Sequence, residues 1–357
     1  MKIFYGVQGT GNGHISRARA MNHHLRNSAA STQFLFSGRE PGDFFDMDEF
    51  GDWRCLPGLT FATANGRIQP LKTFRDNQLL RFWRDVRELD LSGYDLVIHD
   101  FEPVTAWAAR RQGIPTIGIG HQYAFSSAIP TEGDSLMSRA LIRHFAPADV
   151  HLGLHWHHFG QTILPPIVHL DESIPVQREE VILVYLGFEA PEAVLQLLHQ
   201  CPDTRFVYYG KFAGPSEEGN VSLRPLSVEG FRKDLHRCRG VVCNAGFELV
   251  SEALQLGKKV LVKPLQGQME QLSNAAALEE LDLGCRMNRL DAARLQEWLE
   301  DRRHPLCHYP DVAAAIVKWI LSEQRSSVED LSSQLWQASR LQRRGPATAI
   351  EAMPGYS

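Results

Sequence analysis

The sequence lacks the features that mark several classes of protein. Its six cysteines are scattered and none forms a Cys-x-x-Cys pair, so neither a zinc knuckle nor a disulfide framework is predicted. The net charge of -5 argues against a nucleic-acid-binding protein that works by bulk electrostatics. No run of about 18 apolar residues is present, and the N-terminal residues do not follow a signal-peptide pattern. We therefore expect a cytoplasmic protein.

What the sequence does contain is an alternation of short apolar runs and helical patterns, which is typical of a parallel sheet wrapped by helices. At 357 residues the chain is long enough for two domains with full cores. Pro165 and Pro166 interrupt the alternation, because proline continues neither a helix nor a central strand. The expected organisation is an N-terminal domain at 1–164, a C-terminal domain at 165–322, a C-terminal helix at 323–341 and a disordered tail at 342–357.

A first glycine-rich turn follows the apolar run Lys2–Val7 and reads Gly9-Thr10-Gly11-Asn12-Gly13-His14. A helix is expected after it, over Ser16–Asn27. Such a turn presents backbone N–H groups and the positive end of a helix dipole to an anion. It is not a dinucleotide fingerprint, because His14 stands in the place of the third glycine, and it lacks the Gly-Lys-Ser/Thr ending of a P-loop.

His14 and Asp100 are the candidate catalytic residues, since both are expected at the carboxyl edge of the first sheet. A positive helix end disfavours imidazolium, so a neutral His14 would act as a general base. Asp100 follows an apolar strand and would orient His14, as a carboxylate does in a catalytic triad. The alternatives are a His14 that only packs the turn and an Asp100 that caps the helix after Pro103.

A second glycine-marked turn lies far downstream, where the strand-like run Gly240–Gly246 leads into a helix that starts near Phe247. Two such turns in two successive α/β units suggest a nucleotide-type ligand held between two domains.

With these turns in view, the chain resembles nucleotide-sugar glycosyltransferases of the GT-B fold, an α/β architecture of two doubly wound, Rossmann-like domains that face each other across a cleft. It is similar to the lipid II N-acetylglucosaminyltransferase and to the UDP-glucosyl/glucuronosyltransferases. The first turn resembles the Gly-Gly-Thr-Gly-Gly-His loop of the former enzyme. The donor-binding box of both groups resembles Asn244-Ala245-Gly246-Phe247, Glu252, Gly257, Pro264, Glu270-Gln271 and Asn274.

The resemblance implies a role for each matching residue. Glu252 would accept hydrogen bonds from the ribose hydroxyls, the turn before Phe247 would bind the diphosphate, and Arg224 would begin the base-binding segment. The implied donor-binding residues are Gly13, Arg224, Asn244, Ala245, Gly246, Phe247, Glu248, Glu252, Glu270, Gln271 and Asn274. The implied acceptor-binding residues are Gly11, Asn12, His121 and Gln122.

The implied activity is that of an inverting, metal-independent glycosyltransferase that moves a hexose-type sugar from a UDP-sugar to a hydroxyl acceptor. The UDP-sugar is a substrate, and no cofactor is expected. A UDP-sugar 2-epimerase-like enzyme and a non-catalytic nucleotide-sugar-binding protein are the alternatives. The acceptor is a small molecule, a glycan or a lipid-linked molecule, bound by the loops Pro57–Thr73 and Phe125–Asp134.

Two further patterns bear on partners. His155 and His157 would share one face of a strand, but no acidic residue accompanies them at ligand spacing, so we expect no metal site. The helix predicted over Phe74–Leu89 has one apolar and one basic face. A solvated, salt-bridged face is the more common meaning of this pattern, and a membrane-surface patch at the inner face of the membrane is the alternative. The apolar face comprises Leu79, Leu80, Trp83 and Val86, and the charged face comprises Arg81, Arg84, Arg87 and Glu88.

Overall fold

A computed structural model describes residues 1–59, 63–64, 67–68, 79–133, 142–171, 173–342 and 351–352 of the chain. Within these ranges the chain forms two main sheets, each built from consecutive strands and the helices between them. The strands of both sheets are largely buried runs, as strands covered on two faces must be.

The first sheet has six strands, and they are all parallel. In chain order the strands of this domain are β1 (Lys2–Gln8), β2 (Ser31–Ser37), β3 (Arg54–Leu56), β4 (Thr63–Ala64), β5 (Arg67–Ile68), β6 (Leu96–Asp100), β7 (Thr116–Gly120) and β8 (Val150–Gly153). Strands β4 and β5 pair with each other in a short hairpin and are not part of the six-stranded sheet. Its helices are α1 (Asn12–Leu25), α2 (Leu79–Glu88) and α3 (Pro103–Gln112). The spatial order is β3-β2-β1-β6-β7-β8.

The second sheet has seven strands, of which only the edge strand β11 runs antiparallel to its neighbour. The strands are β9 (Glu179–Tyr185), β10 (Arg205–Gly210), β11 (Ser216–Glu218), β12 (Val221–Pro225), β13 (Cys238–Asn244), β14 (Lys259–Lys263) and β15 (Cys285–Arg286). The helices are α4 (Pro191–Leu198), α5 (Val228–Arg237), α6 (Phe247–Gln255), α7 (Met269–Glu280) and α8 (Ala292–Glu300). The spatial order is β11-β12-β10-β9-β13-β14-β15.

Both sheets have the doubly wound strand order, which confirms the expected pair of Rossmann-like domains. The order reverses between β1 and β6 in the first sheet and between β9 and β13 in the second. Open α/β sheets bind ligands outside the carboxyl ends of strands at such reversals. His14 follows β1, Asp100 ends β6, and Asn244 ends β13, so the topology places the two glycine turns at these points.

The C-terminal part of the chain returns to the first domain. Helix α9 (Val312–Leu321) packs against α1, and α10 (Val328–Gln337) follows it. The Trp336 indole and the Ser332 hydroxyl both donate to the carbonyl of Ile163, at 2.6 and 2.7 Å. One apolar cluster contains buried residues of both domains, and each domain also has a cluster of its own.

The expected helix at 323–341 is shorter in the structure. It begins at Val328 because Ser327 and Asp330 form a reciprocal capping box. After it the chain enters a small sheet of β16 (Leu306–His308), β17 (Arg340–Gln342) and β18 (Glu351–Ala352). Residues 343–350 and 353–357 of the expected disordered tail lie outside the described residues. No helix in the described part of the chain has the length and apolar character needed to cross a membrane.

Candidate active site

Helix α1 begins at Asn12 rather than Ser16, so Gly13 and His14 lie in its first turn. The start of α1 is close to α6 of the second domain. A Cβ atom added to Gly13 would lie only 2.8 Å from the Cγ atom of Glu248. The close approach of the two domains therefore requires glycine at this position.

The predicted pair of His14 and Asp100 is in contact. The Nδ1 atom of His14 lies 2.6 Å from Oδ1 of Asp100, which is fully buried at the end of β6. Burial raises the pKa of Asp100, but the charge of Arg17 and the hydrogen bonds from Arg17 and His14 outweigh it and hold that pKa below its usual value. An ionised Asp100 accepts the Nδ1–H of a neutral His14, which leaves the ring's lone pair on Nε2.

The alternative role of Asp100 as a helix cap is wrong. Glu102 caps α3 instead, because its two carboxylate oxygens accept the backbone N–H groups of Val104 and Thr105 at 2.9 and 2.6 Å. The carboxylate of Asp100 instead contacts the side chains of His14 and Arg17 on α1.

Arg17 is part of the site and was missed by the sequence analysis. It lies three residues after His14 on α1, so the two side chains share a helix face. Its Nε and Nη2 atoms donate to the two oxygens of Asp100 at 2.5 and 2.7 Å. The guanidinium is buried, and Nη2 lies 3.1 Å from Nδ1 of His14. The spacing from His14 was the only sequence signal for this residue.

Arg17 also joins the two domains, because its Nη1 atom donates to the carboxyl group of Glu248 on α6. One guanidinium thus serves two buried carboxyl groups. Burial raises the pKa of Glu248 to about 8; Arg17 opposes the shift, and the nearby carboxylates of Asp100, Glu252 and Glu270 reinforce it. Asp100 accepts two of the hydrogen bonds of this guanidinium, and Glu248 accepts one.

A second cluster joins the domains beside this ion pair. The ring of His121 stacks on that of Phe247, with centroids 4.0 Å apart and planes 5° apart. Its Nε2 atom lies 2.5 Å from Oδ1 of Asn274, and its Nδ1 atom lies 2.7 Å from the carbonyl of Leu154. The amide nitrogen of Asn274 donates to Ala245, so protein atoms engage both ends of that amide.

Asn12 and Gln122, which are also assigned to the acceptor, contact residues of the second domain. The Asn12 amide donates to the hydroxyl of Tyr185 at 3.3 Å. The Gln122 amide lies 3.2 Å from both oxygens of Glu270, a residue assigned to the donor sugar. Much of the loop Pro57–Thr73 and the end of Phe125–Asp134 lie outside the described residues.

The remaining donor-box residues lie along the carboxyl edge of the second sheet. Asn244 donates to the carbonyl of Lys263 at 3.0 Å, and Gln271 accepts the N–H of Leu265 at 2.8 Å, so both side chains bond to the backbone at and just after the end of β14.

Glu252 is half-buried on α6, and burial raises its pKa to about 7. Arg224 ends β12, where its guanidinium bonds to Glu217 at 3.3 Å. Gly246 precedes α6 with open space around its Cα.

The strand expected over 150–154 does not extend to His155 and His157. Strand β8 stops at Gly153, so these histidines do not share a strand face. His155 is buried, and its ring lies edge-on to Phe159 at 5.1 Å. Within the part of the chain that the structure describes, no group of three or more metal-ligating side chains is assembled.

All residues of the candidate site lie within the part of the chain that matches one protein-family model. The model of glycosyl transferase family 1 matches residues 1–302. The chain belongs to glycosyl transferase family 1. The match includes both glycine turns and all strands of the two main sheets, so the resemblance to glycosyltransferases is confirmed at the level of the family.

Solved structures show the same fold for this glycosyltransferase. An Arabidopsis thaliana protein complexed with UDP aligns with a TM-score of 0.59 and 13% identity, over 94% of this chain and 98% of the other. A Streptomyces sp. SF2575 glycosyltransferase complexed with thymidine diphosphate gives 0.56 and 14%, over 85% and 92%. The glycosyltransferase of kitacinnamycin gives 0.55 and 16%, over 84% and 91%. The GT-B fold is thus confirmed. No curated protein sequence is significantly similar to the chain.

Proposed function

We propose that this family 1 protein is an inverting glycosyltransferase that moves a hexose-type sugar from a UDP-sugar to a hydroxyl acceptor without a metal. The observation that carries the proposal is the 2.6 Å contact between His14 and Asp100 at the strand-order reversal of the first sheet. An imidazole oriented through Nδ1 by a buried carboxylate is suited to accept a proton at Nε2.

The reaction is a single displacement at the anomeric carbon. Nε2 of His14 takes the proton of the acceptor hydroxyl as its oxygen bonds to the anomeric carbon. The bond from that carbon to the diphosphate oxygen breaks on the opposite face, which inverts the configuration. The departing diphosphate takes up the electron pair near the positive end of α6.

The nucleotide lies in the second domain. Glu252 on α6 offers two carboxylate oxygens to the ribose diol, and the turn ending at Gly246 leads into the same helix. Glu270, at the start of α7, binds a hydroxyl of the donor sugar. The neighbours complexed with UDP and with thymidine diphosphate support a pyrimidine nucleoside diphosphate as the donor's leaving group.

Titration calorimetry with UDP, thymidine diphosphate and purine nucleoside diphosphates tests the donor site. Selective UDP binding followed by sugar transfer to a hydroxyl acceptor is the expected result. Release of a 2-epimerised sugar without an acceptor would replace transferase by epimerase, and UDP binding without any turnover would leave a binding protein. A protein that binds no nucleotide contradicts all three.

We further propose a lipid-linked acceptor, because α2 carries a basic and apolar surface patch. Leu80 is 90% exposed and Trp83 is 42% exposed, whereas Val86, expected on the same face, is buried in the core with Phe82. Residues 74–78 of the predicted helix lie outside the described residues. Arg84 forms ion pairs with Asp85 and Glu88, as expected for a salt-bridged face. The exposed arginines of α2 and of the end of α3 are Arg81, Arg84, Arg87, Arg110 and Arg111. Apolar side chains among exposed arginines match an anionic membrane surface.

Co-sedimentation with vesicles tests this patch. Vesicles with anionic lipid should bind the wild-type protein, and Leu80→Ser with Trp83→Ser should abolish binding. Val176→Ser, which removes another exposed apolar side chain, is the matched control and should bind normally. Equal binding by all three proteins, or by none, would contradict a membrane role for α2.

A further inference from the structure

The side chain of Glu248 lies between the helix that carries it and the first glycine turn. Glu248 projects from the first turn of α6 so far that its Cγ atom would clash with a Cβ atom on Gly13. It is 7% exposed. The proposed function places the donor diphosphate at the positive end of α6, and Glu248 lies in the first turn of that helix. Donor binding therefore requires Glu248 to leave this position.

Displacing Glu248 releases one face of Arg17. Asp100 engages Nε and Nη2 of the guanidinium, whereas Glu248 engages only Nη1. Glu248 is thus the replaceable partner, and Asp100 keeps Arg17 in place when it departs. An arginine fixed by a second carboxylate presents its free N–H groups in a set direction, which suits a phosphate oxygen.

We propose that Arg17 is a diphosphate-binding residue of the donor site, whose ligand-facing position Glu248 occupies until the nucleotide sugar binds. This inference rests on the proposed function and adds a contact from the first domain to a donor otherwise held by the second. The guanidinium of Arg17 also supplies a fixed positive charge next to the departing diphosphate, beside the proposed base His14.

The charges around the site agree with the replacement of an acidic side chain by a diphosphate. Glu248 faces Arg17 on α1, Asp100 and Tyr5 on the first sheet, Glu252 on its own helix and Glu270 on α7. Arg17 is the one cation in this set, and its pKa is raised because Asp100 and Glu248 outweigh the effect of burial. A diphosphate that entered beside an ionised Glu248 would meet a repelling charge, so the exchange removes an unfavourable contact as well.

Calorimetric binding of UDP and of uridine separates this role from a structural one, because uridine keeps the ribose and base but lacks the phosphates. At about pH 8, Arg17→Gln should weaken UDP binding at least about tenfold, which is the loss of one charge-assisted hydrogen bond, and should leave uridine binding unchanged. Glu248→Gln should strengthen UDP binding severalfold, again with no effect on uridine. Arg17→Lys, which keeps the charge beside Asp100, should bind UDP better than Arg17→Gln.

Glu49→Gln is the matched control. Glu49 forms an ion pair with Arg19, which lies on α1 like Arg17, and Glu49 belongs to neither glycine turn. It should bind both ligands like the wild type. Equal losses for UDP and uridine in Arg17→Gln, or UDP binding unchanged in both Arg17→Gln and Glu248→Gln, would overturn the assignment of Arg17 alone. Failure of every variant and of the wild type to bind either ligand would overturn the proposed function, and this inference with it.

Discussion

The two glycine turns occupy equivalent places in the two domains and differ in charge and in crowding. The turn of the first domain leads into a helix that carries His14 and Arg17, and the turn of the second leads into a helix that carries Glu248 and Glu252. The helix after the first turn therefore carries basic side chains, and the helix after the second turn carries acidic ones. The two helices therefore have complementary charges where they meet, at Arg17 and Glu248.

The largest expected effect separates the two turns by task. His14→Ala should lower the rate of sugar transfer by roughly 10²–10⁴-fold, the usual contribution of a general base, and leave UDP affinity nearly unchanged. Glu252→Ala should instead weaken UDP binding by about tenfold, because it removes hydrogen bonds to the ribose. Transfer rates and calorimetry on both variants check this division, and loss of UDP binding in His14→Ala would contradict it.

The crowding of the two turns predicts a different response to the same substitution. Gly13→Ala places a Cβ atom 2.8 Å from Glu248, and overpacking of this kind costs about 1–3 kcal/mol of stability. Gly246→Ala meets no atom within 4 Å and has an ordinary negative φ of -74°, so its melting temperature should match that of the wild type. Thermal unfolding of the two variants measures the contrast. Equal melting temperatures would mean that Glu248 does not sit against Gly13 in solution.

A third expected effect concerns pH. Because the folded protein raises the pKa of Glu248 from 4.5 to about 8, its contribution to stability is complete below about pH 4.5 and is lost as the pH rises through 8. Glu248→Gln cannot ionise, so its melting temperature should gain on that of the wild type between pH 5 and pH 9, measured by thermal unfolding. Parallel curves for the two proteins would contradict a raised pKa at this position.

The sequence allowed those parts of the site to be predicted that depend on local patterns. Buried strands read as apolar runs, glycine turns follow them, and the carboxyl ends of β1 and β6 must meet at one edge, which brings His14 to Asp100. Arg17 could not be found this way, because an arginine on a helix normally faces solvent and its burial depends on Glu248, far along the chain. The bonds of Asn274 and Gln271 to protein atoms likewise arise only from the folded packing.

One strand shows a different limit. β12 has only Val221 and Leu223 as buried apolar residues and ends in Arg224 and Pro225, so its sequence has neither a continuous apolar run nor a long alternation. It is a strand because β10 and β11 pair with it on either side. Pairing of this kind is set by tertiary context more than by propensity.

The return of α9 to α1 has a consequence for how the protein is made. The apolar face of α9 includes Ile316 and Ile320, which are fully buried in the core shared with α1. A ribosome delivers α1 first and must translate the entire second domain before α9 emerges. Part of the apolar surface of the first domain therefore stays exposed to solvent during that interval. Its core is complete only after α9 and α10 have been translated and have packed against it.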